Sequence, residues 1–159
     1  MSDKLHSYKI NLKWVGNQGT GTSVYEGYSR NHEYRAGDKP MLVGSSDPAF
    51  RGDPKRWNPE ELLLAAVASC HKLVYLHLCY DNGINVTTYE DDATGTMAET
   101  SNGGGHFTEV RLHPRVTVSA SSDRARALEL HHDVSALCFI AQSVNFPIHH
   151  LPIIAKEKS

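Results

Sequence analysis

The stretch Asn58-Pro-Glu-Glu-Leu-Leu-Leu-Ala-Ala-Val-Ala-Ser-Cys-His71 decides the reading of this chain. Asn58 suits the position before a helix, because its side-chain oxygen accepts from the open N–H groups of the first turn. Pro59 suits the first helical position, where an N–H is not needed. Glu60 and Glu61 complement the positive end of the helix dipole, and Glu61 stands three residues after Asn58, the spacing of a capping box. The apolar run continues to Cys79-Tyr80, and Asp81-Asn-Gly83 stops it, with Gly83 free to turn left-handed. The spacing predicts a helix over 58–82. Leu62–Ala68 is apolar on every side, so this helix must be surrounded by protein. Ala65, Ala66, Ala68 and Ser69 let another backbone come close. In a chain of 159 residues, that calls for a sheet on one side and a second helix or subunit on the other.

Before the helix, Tyr8–Val15 alternates: Ile10, Leu12 and Trp14 against Lys9, Asn11 and Lys13. This is a half-buried strand. Gly16–Gly21 reads as a turn and Thr22–Ser29 as the returning strand, a hairpin over 8–29. The glycines lack the spacing and the following helix of a phosphate loop. Residues 36–57 form a long connection with one short strand near Met41-Leu-Val43, two Asp-Pro turns, and Phe50 and Trp57 as anchors. After the helix, Ile84–Met97 and His106–Ala120 make a second hairpin over 84–120 around Asn102-Gly-Gly-Gly105. Pro114 predicts an edge strand or a bulge. Ser121-Ser-Asp123 caps a second helix over 122–143, whose stripe is Ala127, Leu130, Val134 and Leu137. A final strand covers 148–155. The order ββ(β)–α–ββ–α–β, paired antiparallel throughout, gives an α+β fold in a single domain, 1–159.

Composition narrows the function. Sixteen basic and eighteen acidic residues leave a formal charge of −2, which gives no electrostatic reason to expect nucleic acid or acidic lipid as a partner. The N-terminus lacks the charged-then-apolar pattern of a signal peptide, and Leu62–Ala68 is far short of the roughly 20 residues that span a bilayer. A soluble cytoplasmic protein is the expectation. Three cysteines, Cys70, Cys79 and Cys138, are an odd count that argues against a disulfide framework. Cys79 lies nine residues past Cys70, roughly 13 Å along a helix, and reads as a core residue. Cys70 and Cys138 each sit on one of the two central helical segments, 68 residues apart, a separation that sequence alone does not close.

The Asn58–His71 segment resembles the signature of the OsmC/Ohr family, the osmotically inducible and organic hydroperoxide resistance proteins. Cys138-Phe-Ile-Ala-Gln-Ser-Val-Asn-Phe-Pro147 is similar to the family's second cysteine segment. The likeness covers nearly the whole chain. It implies an OsmC-like fold, with antiparallel sheets wrapped around two central helices in an intertwined homodimer. It also implies a thiol peroxidase that takes organic hydroperoxides, uses no cofactor and is recharged by a dithiol of the lipoyl type. Cys70 takes the role of peroxidatic residue, Cys138 that of resolving residue, and Glu60 that of the acidic partner. For the activating guanidinium two candidates stand: Arg51, a few residues before the Asn-Pro-Glu motif, and Arg30, at the end of the predicted second strand.

The chemistry explains why such residues belong together. A free thiol titrates near pH 8.5, so only a few per cent is thiolate at neutral pH. Attack on a peroxide bond needs the thiolate. A guanidinium stays charged and its planar fork holds both the sulfur and a peroxide oxygen. One close Arg in a dry site lowers a thiol by about one to three units, and Glu60 orients the Arg. The resulting sulfenic acid condenses with a second thiol to a disulfide, which needs Cα atoms within about 7 Å. Glu60 and Cys70 stand ten residues apart on one helix, about 15 Å of rise. If Glu60 serves the Cys70 site, it comes from a second copy of the chain, as in an isologous dimer. Phe50, Trp57 and Phe139 are candidate walls of an apolar substrate site or plain core residues.

Two other classes compete. Ten histidines, with His131-His132 and His149-His150 paired and His71 beside Cys70, suggest a metal-binding module built from Cys70, His71, Cys138 and a helix histidine, although no metal-ligand spacing supports it. A relative that binds a small apolar ligand without peroxidase chemistry is the other.

Overall fold

The Asn58 cap forms as its chemistry dictates. Its Oδ1 accepts from the Glu61 N–H at 2.8 Å, and Glu61 Oε2 accepts from the Asn58 N–H at 3.2 Å. In the computed structural model, which describes residues 4–158, helix α1 then spans Pro59–Asp81. Gly83 ends it at φ 68°, a conformation that costs a residue with a Cβ, and the Ile84 N–H turns back to the Cys79 carbonyl at 2.9 Å. The chain divides into two compact units, one ending at Leu62 and one beginning at Leu63.

The first unit holds a three-stranded antiparallel sheet: β1 (Asn11–Trp14), β2 (His32–Arg35) and β3 (Leu42–Gly44), in that order. Leu12 pairs with Tyr34, and Glu33 with Val43. The returning strand is therefore His32–Arg35 and not 22–29. Two successive turns, Ser23 N–H to the Thr20 carbonyl and Gly27 N–H to the Val24 carbonyl, consume the expected segment, and a lone bridge between Asn17 and Tyr28 is all that remains of it.

In the second unit, 86–99 is one path broken at Asp92-Ala93 into β4 (Val86–Asp91) and β5 (Thr94–Glu99). The returning path breaks at His113 into β6 (Gly105–Leu112) and β7 (Pro114–Val118). The last path breaks at Leu151-Pro152 into β8 (Ile148–His150) and β9 (Ile153–Lys156), where one strand over 148–155 was expected. The breaks fall side by side, since Asp91 pairs with Pro114 and Leu112 with His150. One bent ribbon thus appears as two sheets, β4-β7-β9 and β5-β6-β8. Pro114 is the first residue of a central strand, neither an edge nor a bulge, and its missing N–H falls at the bend. There the His113 N–H is taken by Asp91 Oδ1 at 2.7 Å.

Pairing is not antiparallel throughout. β8 runs parallel to β6, and β9 parallel to β7. The cause is helix α2 (Arg124–Asp133), which lies between β7 and β9 in sequence and returns the chain to the end it started from. Asp123 caps α2, its Oδ1 accepting from the N–H groups of Ala125 and Arg126 at 2.9 and 3.1 Å. The helix stops ten residues short of 143, and single 3-10 turns at Val134–Ala136 and Ala141–Ser143 carry the rest. Its stripe also closes differently. Ala127, Leu130 and Val134 are buried, yet the next buried residue is Cys138, while Leu137 is half exposed. The Cys138 N–H bonds to the Val134 carbonyl at 2.9 Å, which keeps the four-residue helical step and turns the sulfur inward.

The core packs Tyr75, Cys79, Leu130, Val134 and Cys138 against Val116, Val118 and Ile154, with a smaller cluster of Val67, Val110 and Leu112. From α1 only the single row Val67, His71, Tyr75 and Cys79 is buried. Within its most apolar eighteen residues mean hydropathy reaches 1.6, and 22% are buried. The all-round apolar helix is therefore only partly covered by its own chain.

Candidate functional site

Helix α1 carries Cys70 on its partly exposed side, and the turn after Val134 carries Cys138 inward. The two cysteines, 68 residues apart in sequence, are joined by a disulfide with Cα atoms 5.9 Å apart. The helical step to Cys138 makes this approach possible. Cys138 is 1% exposed. Its sulfur accepts from the Ala141 N–H at 3.4 Å, and the Gln142 N–H bonds to the Cys138 carbonyl at 3.0 Å. Cys79 is free and buried. Burial pushes its thiol pKa up, which keeps it protonated and inert.

One residue beyond Cys70, helix α1 turns about 100° and puts His71 into the core. His71 Nε2 and His131 Nδ1 share a hydrogen bond at 2.9 Å. The Tyr75 ring stacks on His131 at 3.8 Å, and Tyr75 Oη donates to the Ala127 carbonyl at 3.0 Å. His150 from β8 lies 5.6 Å from the His71 ring, and its Nε2 stands 3.4 Å from His132 Nδ1. Burial holds His71 down to about 4 and His131 to about 3, and the neighbouring imidazoles push the same way. Both rings are therefore neutral at physiological pH. His131 Nε2 is buried and has no hydrogen-bond partner among the described residues. This assembly escaped sequence reasoning. The adjacent histidines and the Cys70-His71 neighbours were visible, but their convergence depends on the parallel return of β8.

The metal set suggested by Cys70, His71, Cys138 and a helix histidine is not assembled. The sulfurs bond to each other, and His71 turns away to His131. Among the described residues no group of three or more His, Cys, Asp or Glu is arranged to hold a metal ion.

The remaining candidates belong to the first unit, except Phe139, which lies in the second. The Arg30 guanidinium is clamped. It lies 4.4 Å from the Tyr25 ring centre and 4.1 Å from that of Tyr28, and it donates to the Tyr28 and Tyr25 carbonyls at 2.6 and 2.9 Å. Arg51 caps a 3-10 turn at φ 63° and reaches the same Tyr25 ring at 5.9 Å. Arg51 is exposed, and among the described residues its guanidinium forms no ion pair. The two alternatives from sequence thus meet at one tyrosine. Glu60 Oε2 is buried with no hydrogen-bond partner among the described residues. A carboxylate oxygen removed from water without a partner is costly. Phe50, Trp57 and Phe139 are not core residues, being 39%, 46% and 77% exposed.

A family model described as OsmC-like protein matches residues 52–150. Among solved structures, an OsmC-like protein of unknown function from Vibrio cholerae is similar, at 27% identity and TM-score 0.84, over 94% of this chain and 100% of that one. An organic hydroperoxide resistance protein OsmC from Legionella pneumophila shares 15% identity at TM-score 0.69, over 96% and 99%. The organic hydroperoxide resistance protein OhrB of Bacillus subtilis shares 17% at TM-score 0.61, over 96% and 100%. No protein of curated function matches the sequence.

Proposed function

The chain belongs to the OsmC-like family, a family that includes peroxidases, and on that premise we propose that it is a cysteine-based thiol peroxidase that reduces organic hydroperoxides in the cytoplasm. The observation that carries the reading is the closure of Cys70 onto Cys138 across 68 residues of sequence.

In the proposed cycle the Cys70 thiolate attacks one peroxide oxygen. The O–O bond breaks, the alkoxide leaves and takes a proton to become the alcohol, and Cys70 becomes a sulfenic acid. The Cys138 thiol then attacks that sulfur and water leaves, carrying the thiol proton. A dithiol reopens the disulfide.

The cation comes from Arg51. Arg30 already spends its planes on two tyrosine rings and its donors on two carbonyls. Glu60 fixes the Arg, and the vacant valence of its buried Oε2 is of the kind a guanidinium fills.

The active assembly is a homodimer. All thirteen buried hydrophobic residues lie from Val67 onward, and the first unit buries none among the described residues. Leu12, Trp14, Val24, Tyr25 and Trp57 stand open to solvent in the single chain. Exposed apolar area of that extent marks an interface. A second copy covers it and supplies Glu60 to the site.

The test is one equivalent of an alkyl hydroperoxide added to the reduced protein, followed by peptide mapping and assay of the alcohol. The expected result is one alcohol per chain and a Cys70–Cys138 linkage. Unchanged hydroperoxide with both thiols free would overturn the reading.

A further inference from the structure

The two sulfurs of the disulfide are not equivalent. Cys138 is 1% exposed and packed in the core with Val134, Ile140 and Ala141 around it. Its sulfur accepts the Ala141 N–H at 3.4 Å. That N–H is held on target by a rigid turn: the Gln142 N–H bonds to the Cys138 carbonyl at 3.0 Å, Ser143 Oγ donates to the Phe139 carbonyl at 2.7 Å, and Gln142 Nε2 donates to the Ser135 carbonyl at 2.7 Å. Cys70 sits on the partly exposed side of α1, and among the described residues no N–H is directed at its sulfur.

Thiol–disulfide exchange needs an accessible sulfur to attack and a leaving sulfur whose negative charge is stabilised. A hydrogen bond to a charged acceptor is worth more than one to a neutral acceptor. The donor on Cys138 therefore strengthens as the S–S bond breaks and charge builds there. We propose that the reducing thiol attacks Cys70 and expels Cys138, with the Ala141 N–H acting on the departing thiolate. The inference rests on the reading that this disulfide turns over.

The incoming thiolate forms a bond to Cys70 Sγ. The Cys70–Cys138 bond breaks, and its electron pair goes to Cys138, which then takes a proton. The second thiol of the same dithiol attacks the reductant's own sulfur in the mixed disulfide. This closes the oxidised ring and frees Cys70. Two protein thiols are gained, the dithiol is oxidised, and its two protons end on the two cysteines. The arrangement also explains why a dithiol suits the site. A lone thiol leaves its adduct on Cys70, where Cys138 re-forms the disulfide.

The experiment takes the full chain oxidised with diamide, so it does not depend on any hydroperoxide being a substrate. Glutathione is added, the reaction is quenched with acid, free thiols are alkylated, and the peptides are mapped. The expected products carry glutathione on Cys70 and the alkyl group on Cys138, in at least about tenfold excess over the reverse pattern. Glutathione chiefly on Cys138, or equally on both, overturns the proposal. Ala141→Pro, which removes the N–H, is expected to slow opening about tenfold, whereas Ala141→Gly, which keeps it, leaves the rate near that of the parent chain. Equal rates for the two variants reject the role of the N–H. If Ala141→Pro does not fold, the map of adducts on the parent chain still decides which sulfur is attacked. Peroxidase failure appears separately, as intact hydroperoxide with a normal adduct map.

Discussion

The two units of this chain differ in whether they bury an aromatic side chain among the described residues. From Leu63 onward, Tyr75 is fully buried and stacked on a buried His131, with Tyr89 tilted 6.0 Å away. Up to Leu62, Trp14, Tyr25, Phe50 and Trp57 are 39–57% exposed, and the nearest thing to a core is Arg30 held between Tyr25 and Tyr28. Among its described residues, those it buries are Gly16, Gly44, Ser45 and Asn58. The second unit has a hydrophobic interior and holds the sulfurs. The first offers cations and open apolar surface. On the proposed reading, stability and thiol chemistry reside in one unit, and activation and assembly in the other.

Substitutions can break this division. The largest effect is expected at the sulfur: Cys70→Ser reduces hydroperoxide turnover by roughly 10³-fold or more, the scale of losing a nucleophile, without loss of secondary structure by circular dichroism. Leu130→Ala, in the buried stripe of α2, costs about 2–5 kcal/mol and lowers the thermal midpoint. A midpoint within a degree of the parent would show that the second unit does not carry stability.

Acid should act on the same unit. The ordinary histidine pKa is near 6.5, while His71 and His131 are held near 4 and 3 and His150 is also lowered. Between those values the unfolded chain binds more protons than the folded one, so stability is full above pH 6.5 and falls as pH falls toward 4. Chemical denaturation at pH 7 and pH 5 checks this. His131→Phe, which keeps a ring on Tyr75 but cannot titrate, flattens that slope.

Smaller effects belong to the first unit. Arg51→Lys keeps the charge but loses the planar fork, and is expected to lower kcat/KM about 10- to 100-fold with the thermal midpoint unchanged. An equal loss at Arg30→Lys with Arg51→Lys silent would move the cation to Arg30. Leu12→Ser, in an open strand, is expected to weaken self-association about tenfold, read as a concentration-dependent mass by light scattering. A parent chain that remains a single copy at all concentrations contradicts the assembly.

The helix Pro59–Asp81 was legible to within one residue at each end, because the Asn58 box and Gly83 act on their own immediate neighbours. The expected strand over 22–29 failed because alternation there competes with turns, and the turns won. The parallel pairing of β8 and β9 was hidden because it depends on where α2 returns the chain. The pairing of Cys70 with Cys138 is what the family resemblance implied. Two things were not legible: the gathering of His71, His131 and His150 behind Cys70, and the Ala141 N–H on Cys138. The first follows from tertiary packing; the second is a contact between residues three apart, set by a turn that no residue pattern announces.

The most direct measurement is a count of free thiols in the denatured protein before and after a single equivalent of cumene hydroperoxide. The chain has three cysteines, and the reduced protein should titrate as three. After reaction one should remain, and labelling should place it at Cys79. Three remaining thiols beside intact hydroperoxide would contradict the proposed chemistry.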